Sequence, residues 1–314
     1  VRRRLLASLI ALTALASTGC GAGDDATPTT KVGGAPHQPL QVANGPLAPS
    51  PATSPLTLAL NGTPDPVQIR FGHQPRSGLL VDLDTGRVLW RRNPTRVLPI
   101  ASVTKMMTAL VVVDHVAQGA KVKVTKEALA YQGSGVGLLP KGRWVGLSAM
   151  LYGLLLPSGN DAAIALAQRT ARTVPQFVDL MNERAQAMGL TCTRYSTPSG
   201  FTDRGNHSCA ADLAVEARAV LDEPRIARIV KRRSAVLPFP IKGGKLYLYN
   251  HNPLLRLRYP GTLGIKTGFT DAAGRCLVAA VERNGHRLGV VLLHSPDPGG
   301  QAVKLFDRGF RALG

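Results

Sequence analysis

Strand patterns at the two ends of the chain, separated by a long helical middle, restrict this sequence more than any other feature. Gly78-Leu79-Leu80-Val81-Asp82-Leu83 runs through Asp84-Thr85-Gly86 into Arg87-Val88-Leu89-Trp90, two short strands about a glycine-containing turn. Near the other end, residues 276–282 and 286–294 are apolar runs joined at Arg283-Asn284-Gly285, a strong hairpin signal. A last helical segment follows over 300–313. Between the hairpins, residues 102–116, 147–156, 161–173, 175–188 and 210–221 place apolar side chains at helical spacing. The expected fold is α+β: an antiparallel sheet built from both termini, flanked by helices, with an inserted mainly helical lobe.

The first seventy residues read differently. Arg2, Arg3 and Arg4 precede an apolar run from Leu5 to Ala16, and Ala16-Ser17-Thr18-Gly19 follows. A charged head, an apolar stretch too short to span a bilayer and a small-residue end make residues 1–19 a signal peptide. Cys20 and the polar Gly21-Ala22-Gly23-Asp24-Asp25 after it resemble the lipid-modified start of bacterial lipoproteins, although Ser17 stands where such motifs carry leucine. The chain is therefore expected to be exported, held at the membrane through Cys20 or secreted. Residues 20–70 are expected to be a flexible tether. Nine of the 23 prolines fall within 21–69, and the segment has too little apolar surface to offset its ordering entropy. The folded domain then runs over 71–314.

Charge narrows the partners. The chain has 38 Lys and Arg against 19 Asp and Glu, a net charge of +19. That favours an anionic partner such as an acidic wall polymer or a membrane surface. The basic residues look scattered and aromatics are 5% of the chain, so no basic run with stacking rings points to nucleic acid. Cys192 and Cys209 lie 17 apart in a polar, turn-rich stretch, and export permits a disulfide between them. Cys276 sits in an apolar strand and reads as a buried free thiol. No Cys or His pair has zinc spacing, so neither a metal nor another cofactor is expected.

Three short motifs carry chemistry. Ser102 and Lys105, in Pro99-Ile100-Ala101-Ser102-Val103-Thr104-Lys105, are three apart at a helix start and share a face. The helix dipole there favours a developing negative charge, and a neutral lysine can take the serine proton. A capping serine followed by a solvated lysine gives the same pattern. Ser158 and Asn160, in Pro157-Ser158-Gly159-Asn160, lie on a tight connection between two apolar helices. There they either relay a proton and orient an amide, or simply cap a helix. Lys266, Thr267, Gly268 and Phe269 belong to an extended segment before the last hairpin. Lys266 and Thr267 are suited to a substrate carboxylate, and Gly268 allows close backbone approach.

The three motifs occur in this order, 56 and then 108 residues apart, each in a compatible context. This set is the one found in penicillin-binding proteins and serine β-lactamases. Residues 98–110, 152–163 and 264–274 resemble the corresponding segments of low-molecular-mass penicillin-binding proteins, the serine D-alanyl-D-alanine carboxypeptidases. The resemblance implies a β-lactamase/transpeptidase-like fold and a wall stem peptide as substrate, with β-lactams as inhibitors. It also implies Ser102 as nucleophile, Lys105 as base, Ser158 as relay and Asn160 as a holder of Lys105 and the substrate amide. Lys266 and Thr267 would take the terminal carboxylate, and the backbone N–H groups of Ser102 and Phe269 the oxyanion. Gly133-Ser134-Gly135-Val136-Gly137 resembles the family's mobile loop. Residues 194–200 lack the glutamate that the common β-lactamases use for deacylation, which argues against that rival, and residues 295–303 depart from the family in lacking the arginine that many relatives carry there. Endopeptidase, transpeptidase, β-lactamase and silent wall-binding roles share much of this pattern.

Overall fold

The structure, a computed structural model, describes residues 56–61, 64–201 and 204–314. Residues 1–19, Cys20 and most of the expected tether lie outside the described residues. From the first hairpin come β1 (Ser77–Asp82) and β2 (Val88–Arg92). The middle holds short strands β3 (Leu98–Pro99), β4 (Lys121–Lys123), β5 (Trp144–Gly146) and β6 (His207–Ser208). A further hairpin joins β7 (Ser234–Pro238) to β8 (Lys245–Tyr249). Next come β9 (Thr262–Thr270), β10 (Gly274–Arg283) and β11 (His286–Leu293). The helices are α1 (Lys105–His115), α2 (Lys126–Leu129), α3 (Leu147–Leu155), α4 (Asn160–Ala171) and α5 (Val174–Ala187). After these follow α6 (Ala210–Asp222), α7 (Pro224–Val230), α8 (Pro253–Arg256) and α9 (Pro298–Leu313).

Both terminal hairpins enter one antiparallel sheet in the order β2-β1-β11-β10-β9. Leu79 lies opposite Val291 where β1 pairs with β11. Alternate side chains go to opposite faces. Leu79, Val81, Val278, Ala280 and Val291 join the core of the helical lobe. Leu80, Leu277, Ala279, Val290 and Leu292 pack with Leu305 and Phe306 of α9. With both faces covered, these strands read as continuous apolar runs rather than as an alternating pattern. Order matters for function: β9, which carries Lys266, is an edge strand, and its free side borders the turn that bears Ser102.

Two boundaries differ from expectation. Contacts with the folded domain extend upstream of residue 71, into described residues expected to belong to the tether. Leu56 is buried in the core, the Ala59 N–H donates to the Gly86 carbonyl at 3.0 Å, and the Val67 N–H donates to the Leu89 carbonyl at 2.9 Å. Leu56, Leu58 and Leu60 alternate with Thr57 and Ala59, a short strand-like period among prolines. The first long helix also starts later, because Ala101–Thr104 is a 3-10 turn and α-helical geometry begins at Lys105.

Candidate active site

The 3-10 turn explains how Ser102 and Lys105 meet. Such a turn has three residues per revolution, so residues three apart eclipse. Lys105 Nζ lies 2.9 Å from Ser102 Oγ. It also donates to Asn160 Oδ1 and to the Ser199 carbonyl, both at 2.7 Å. Lys105 is fully buried. Its pKa is well below the ordinary lysine value through desolvation first and repulsion from Lys266 second, with Asp161 opposing. A neutral amine has two N–H bonds and one lone pair. Two carbonyl oxygens take the N–H bonds, which leaves the lone pair for the Ser102 proton.

The second motif closes round this amine. Pro157 follows the end of α3 and Gly159 caps α4, so Ser158 is held in the bend with φ +65°. Asn160 opens α4, and its carboxamide reaches in opposite directions. Oδ1 accepts from Lys105 Nζ, and Nδ2 donates to the Gln132 carbonyl at 2.5 Å. Asp161, which the motif analysis did not single out, accepts the Val136 and Gly137 N–H groups at 2.9 and 3.1 Å. Together the two residues pin the 133–137 loop beside Lys105.

Lys266 comes from the edge strand β9. Its Nζ donates to Ser158 Oγ at 3.0 Å and to the Thr267 carbonyl at 2.7 Å. Burial pushes its pKa down to about 7. Thr267 lies next to it in β9, and Phe269 is 62% exposed at the strand's open side. Gly268 has a role the sequence did not show. A Cβ there would stand 2.8 Å from the Ile100 carbonyl and 3.1 Å from the Ser102 nitrogen. The missing side chain thus lets the strand touch the Ser102 turn itself. Arg275, opposite Phe269 in β10, donates to the Pro296 carbonyl at 2.8 Å.

Ser199 and Gly200, which had no motif to mark them, complete the site together with the disulfide expected from the sequence. Cys192 and Cys209 are bonded to each other, with Cα atoms 5.6 Å apart. Between them, Asn206 Oδ1 accepts the Ser196 and Thr197 N–H groups at 3.1 and 3.3 Å, and Thr197 Oγ1 accepts that of Gly200 at 3.0 Å. This cross-braced loop presents the Ser199 carbonyl to Lys105. Gly200, at φ +71°, lies where a Cβ would be 2.0 Å from the Ala101 carbonyl. Cys192, Cys209 and Asp212 converge, but both sulfurs are spent in the disulfide. Asp212 instead accepts from the Cys192 N–H and the Thr193 hydroxyl, each at 2.7 Å. Cys276 is buried and lies outside the disulfide, with its Sγ 3.7 Å from the Ala273 carbonyl oxygen.

Comparison with solved structures defines the class. The chain matches a D-alanyl-D-alanine carboxypeptidase from Mycobacterium tuberculosis with a TM-score of 0.73 at 35% identity, over 79% of this chain and 96% of that one. It matches the Streptomyces K15 DD-transpeptidase with a TM-score of 0.72 at 30% identity, over 78% and 100%. The fold is that of the penicillin-binding DD-peptidases. Within that class, the peptidase S11 family, described as D-alanyl-D-alanine carboxypeptidase, matches residues 65–297. The chain belongs to this family of serine hydrolases. The carboxypeptidase DacB2 of M. tuberculosis is 37% identical over 74% of this chain and 81% of that protein. DacF of Bacillus subtilis is 32% identical over 76% of this chain, which spans 63% of that longer relative.

Proposed function

We propose that the chain is an exported serine D-alanyl-D-alanine carboxypeptidase that removes the terminal D-alanine from wall stem peptides. The observation that carries this reading is the Lys105 amine, buried and depressed in pKa, held between Ser102 Oγ and two carbonyl oxygens. Lys105 takes the Ser102 proton as Oγ attacks the carbonyl between the last two D-alanines. The backbone N–H groups of Ser102 and Phe269 receive the oxyanion, a contribution of about 3–4 kcal/mol per donor. Ser158 passes the proton to the leaving amine, and D-alanine departs. Water then hydrolyses the ester on Ser102, returning the enzyme and releasing the shortened peptide. Lys266 and Thr267 hold the terminal carboxylate, and Asn160 orients both Lys105 and the substrate amide. β-Lactams acylate Ser102 because their ring presents a similar carbonyl and carboxylate.

Among the described residues no helix is long and apolar enough to cross a membrane, and the export signal and Cys20 anchor remain part of the proposal. The likeness to the Streptomyces K15 DD-transpeptidase favours one second reading, transfer of the acyl group to an amine. Incubation with a muropeptide ending in D-Ala-D-Ala separates them by mass. Loss of one alanine is the expected product, while a cross-linked product establishes transfer instead. Fluorescent penicillin is expected to label the wild-type chain. Ser102→Ala abolishes labelling and lowers turnover by several orders of magnitude. An unlabelled but folded wild-type protein refutes the reading.

A further inference from the structure

Charge that reads as scattered along the chain is concentrated in one run. Residues 224–270 contain ten Lys and Arg and no Asp or Glu, against 38 and 19 in the whole chain. This run builds α7, the β7–β8 hairpin, α8 and β9. Both short helices pack on β9, and Asn250 ties the hairpin base to the Val230 and Arg232 carbonyls at 3.0 Å each. Arg232, Arg233, Lys245, Arg256 and Arg258 are exposed. Among the described residues none of the five has an acidic partner.

The hairpin adds rings to this charge. In β8, Leu246 and Leu248 are buried, whereas Tyr247 and Tyr249 are 58% and 66% exposed. Two residues apart on a strand, the tyrosines share one face. Val236 and Ser234 lie directly opposite them. Leucine is the residue more readily buried and tyrosine, with its polar tip, the one more readily left at the surface; here two such rings stand side by side on one face.

The face leads to the site. At the end of α7 the chain approaches β9 so closely that a Cβ on Gly264 would be 2.0 Å from the Val230 carbonyl oxygen. Lys266 follows two residues later. At the hairpin's other end, His251 is held below its ordinary pKa by burial and then by the Lys266 charge.

We propose that the surface formed by α7, the β7–β8 hairpin and α8 docks an acidic saccharide polymer, the wall strand whose attached peptide occupies the Ser102 site. This rests on the carboxypeptidase reading above. Tyrosine offers an apolar ring face with a hydroxyl to each sugar, and arginine forks onto carboxylate or phosphate groups. A lipid surface suits this face less well. Its tyrosines lie beside Ser234 and Lys245, and its exposed aliphatic groups are Val236 and Pro238 on the hairpin and Leu257 after α8, the last set between Arg256 and Arg258, whereas insertion into lipid needs a broad apolar face.

The test uses the full chain on a soluble peptide ending in D-Ala-D-Ala, which reaches only the Ser102 site, and on purified wall sacculi. The double variants Tyr247→Ala/Tyr249→Ala and Arg232→Glu/Arg256→Glu change exposed positions only. Each is expected to lower D-alanine release from sacculi roughly tenfold and to leave turnover of the soluble peptide unchanged. Added salt narrows the wild-type preference for sacculi. Wild-type rates of both variants on sacculi overturn the proposal. So does loss of binding to phosphatidylglycerol vesicles with wall turnover intact, which makes the face a membrane surface. A wild-type chain inactive on the soluble peptide sinks the carboxypeptidase reading alone. Co-sedimentation with sacculi, wild type against variants, then still decides the docking face.

Discussion

Two buried lysines share the site, and the proposed mechanism gives them opposite charge states. In it Lys105 acts as a neutral amine, while Lys266 holds a carboxylate as a cation. Burial lowers both, and the Lys266 charge lowers Lys105 further. The pKa of about 7 for Lys266 belongs to the free protein, and a bound carboxylate raises it again. The kcat/KM profile reports the free enzyme and the kcat profile the complex. Hence kcat/KM is expected to begin its alkaline decline near pH 7, and kcat at higher pH. Lys266→Arg keeps a cation throughout this range, so the decline in kcat/KM moves to higher pH even if the rate falls. A decline that stays in place in this variant shows that another group sets it.

At the scale of elements, chemistry depends on how closely β9 meets the Ser102 turn. Gly268→Ala inserts a methyl group 2.8 Å from the Ile100 carbonyl oxygen. The edge strand is displaced more easily than the buried turn. Displacements of about 1 Å in a reacting constellation cost on the order of 10²-fold. Penicillin acylation by Gly268→Ala is expected to slow to that degree, with the thermal midpoint nearly unchanged; an unchanged acylation rate contradicts the contact. The elements themselves were legible where one period dominates. Both terminal hairpins and six long helices announce themselves because core strands and one-sided helices leave strong patterns. The β7–β8 hairpin did not, because tyrosines on its exposed face stand beside buried leucines and blur the apolar–polar alternation of the run. The short helix α7, lying in a run of arginines, was hidden likewise. Of the site, side chains in motifs could be read, whereas the Ser199 carbonyl could not, since a backbone acceptor can belong to any residue type.

On the scale of the whole molecule, the buried ionisable groups make stability a function of pH with two opposing limbs. Glu216 of α6 is buried and accepts from the Tyr195 hydroxyl at 2.9 Å. Desolvation raises its pKa from 4.5 to about 8. Between these values the folded chain keeps a proton that the unfolded chain releases, so stability falls as pH rises from about 4.5 to 8. Lysines act in the reverse sense. Lys105 and Lys266 are lowered on folding, so above about 7 the unfolded chain holds protons that the folded one has lost. Stability then rises with pH towards the ordinary lysine range. A trough near neutral pH is therefore expected in the urea midpoint. Glu216→Gln retains an oxygen to accept from Tyr195 but cannot ionise, and should flatten the acid-side limb while leaving the alkaline rise. Lys266→Met should do the converse, reducing the alkaline rise and sparing the acid limb. If Glu216→Gln still loses stability between pH 5 and 8 as steeply as the wild type, the descent comes from other carboxyls. Asp114 and Asp212, both raised chiefly by burial, are the groups to substitute next.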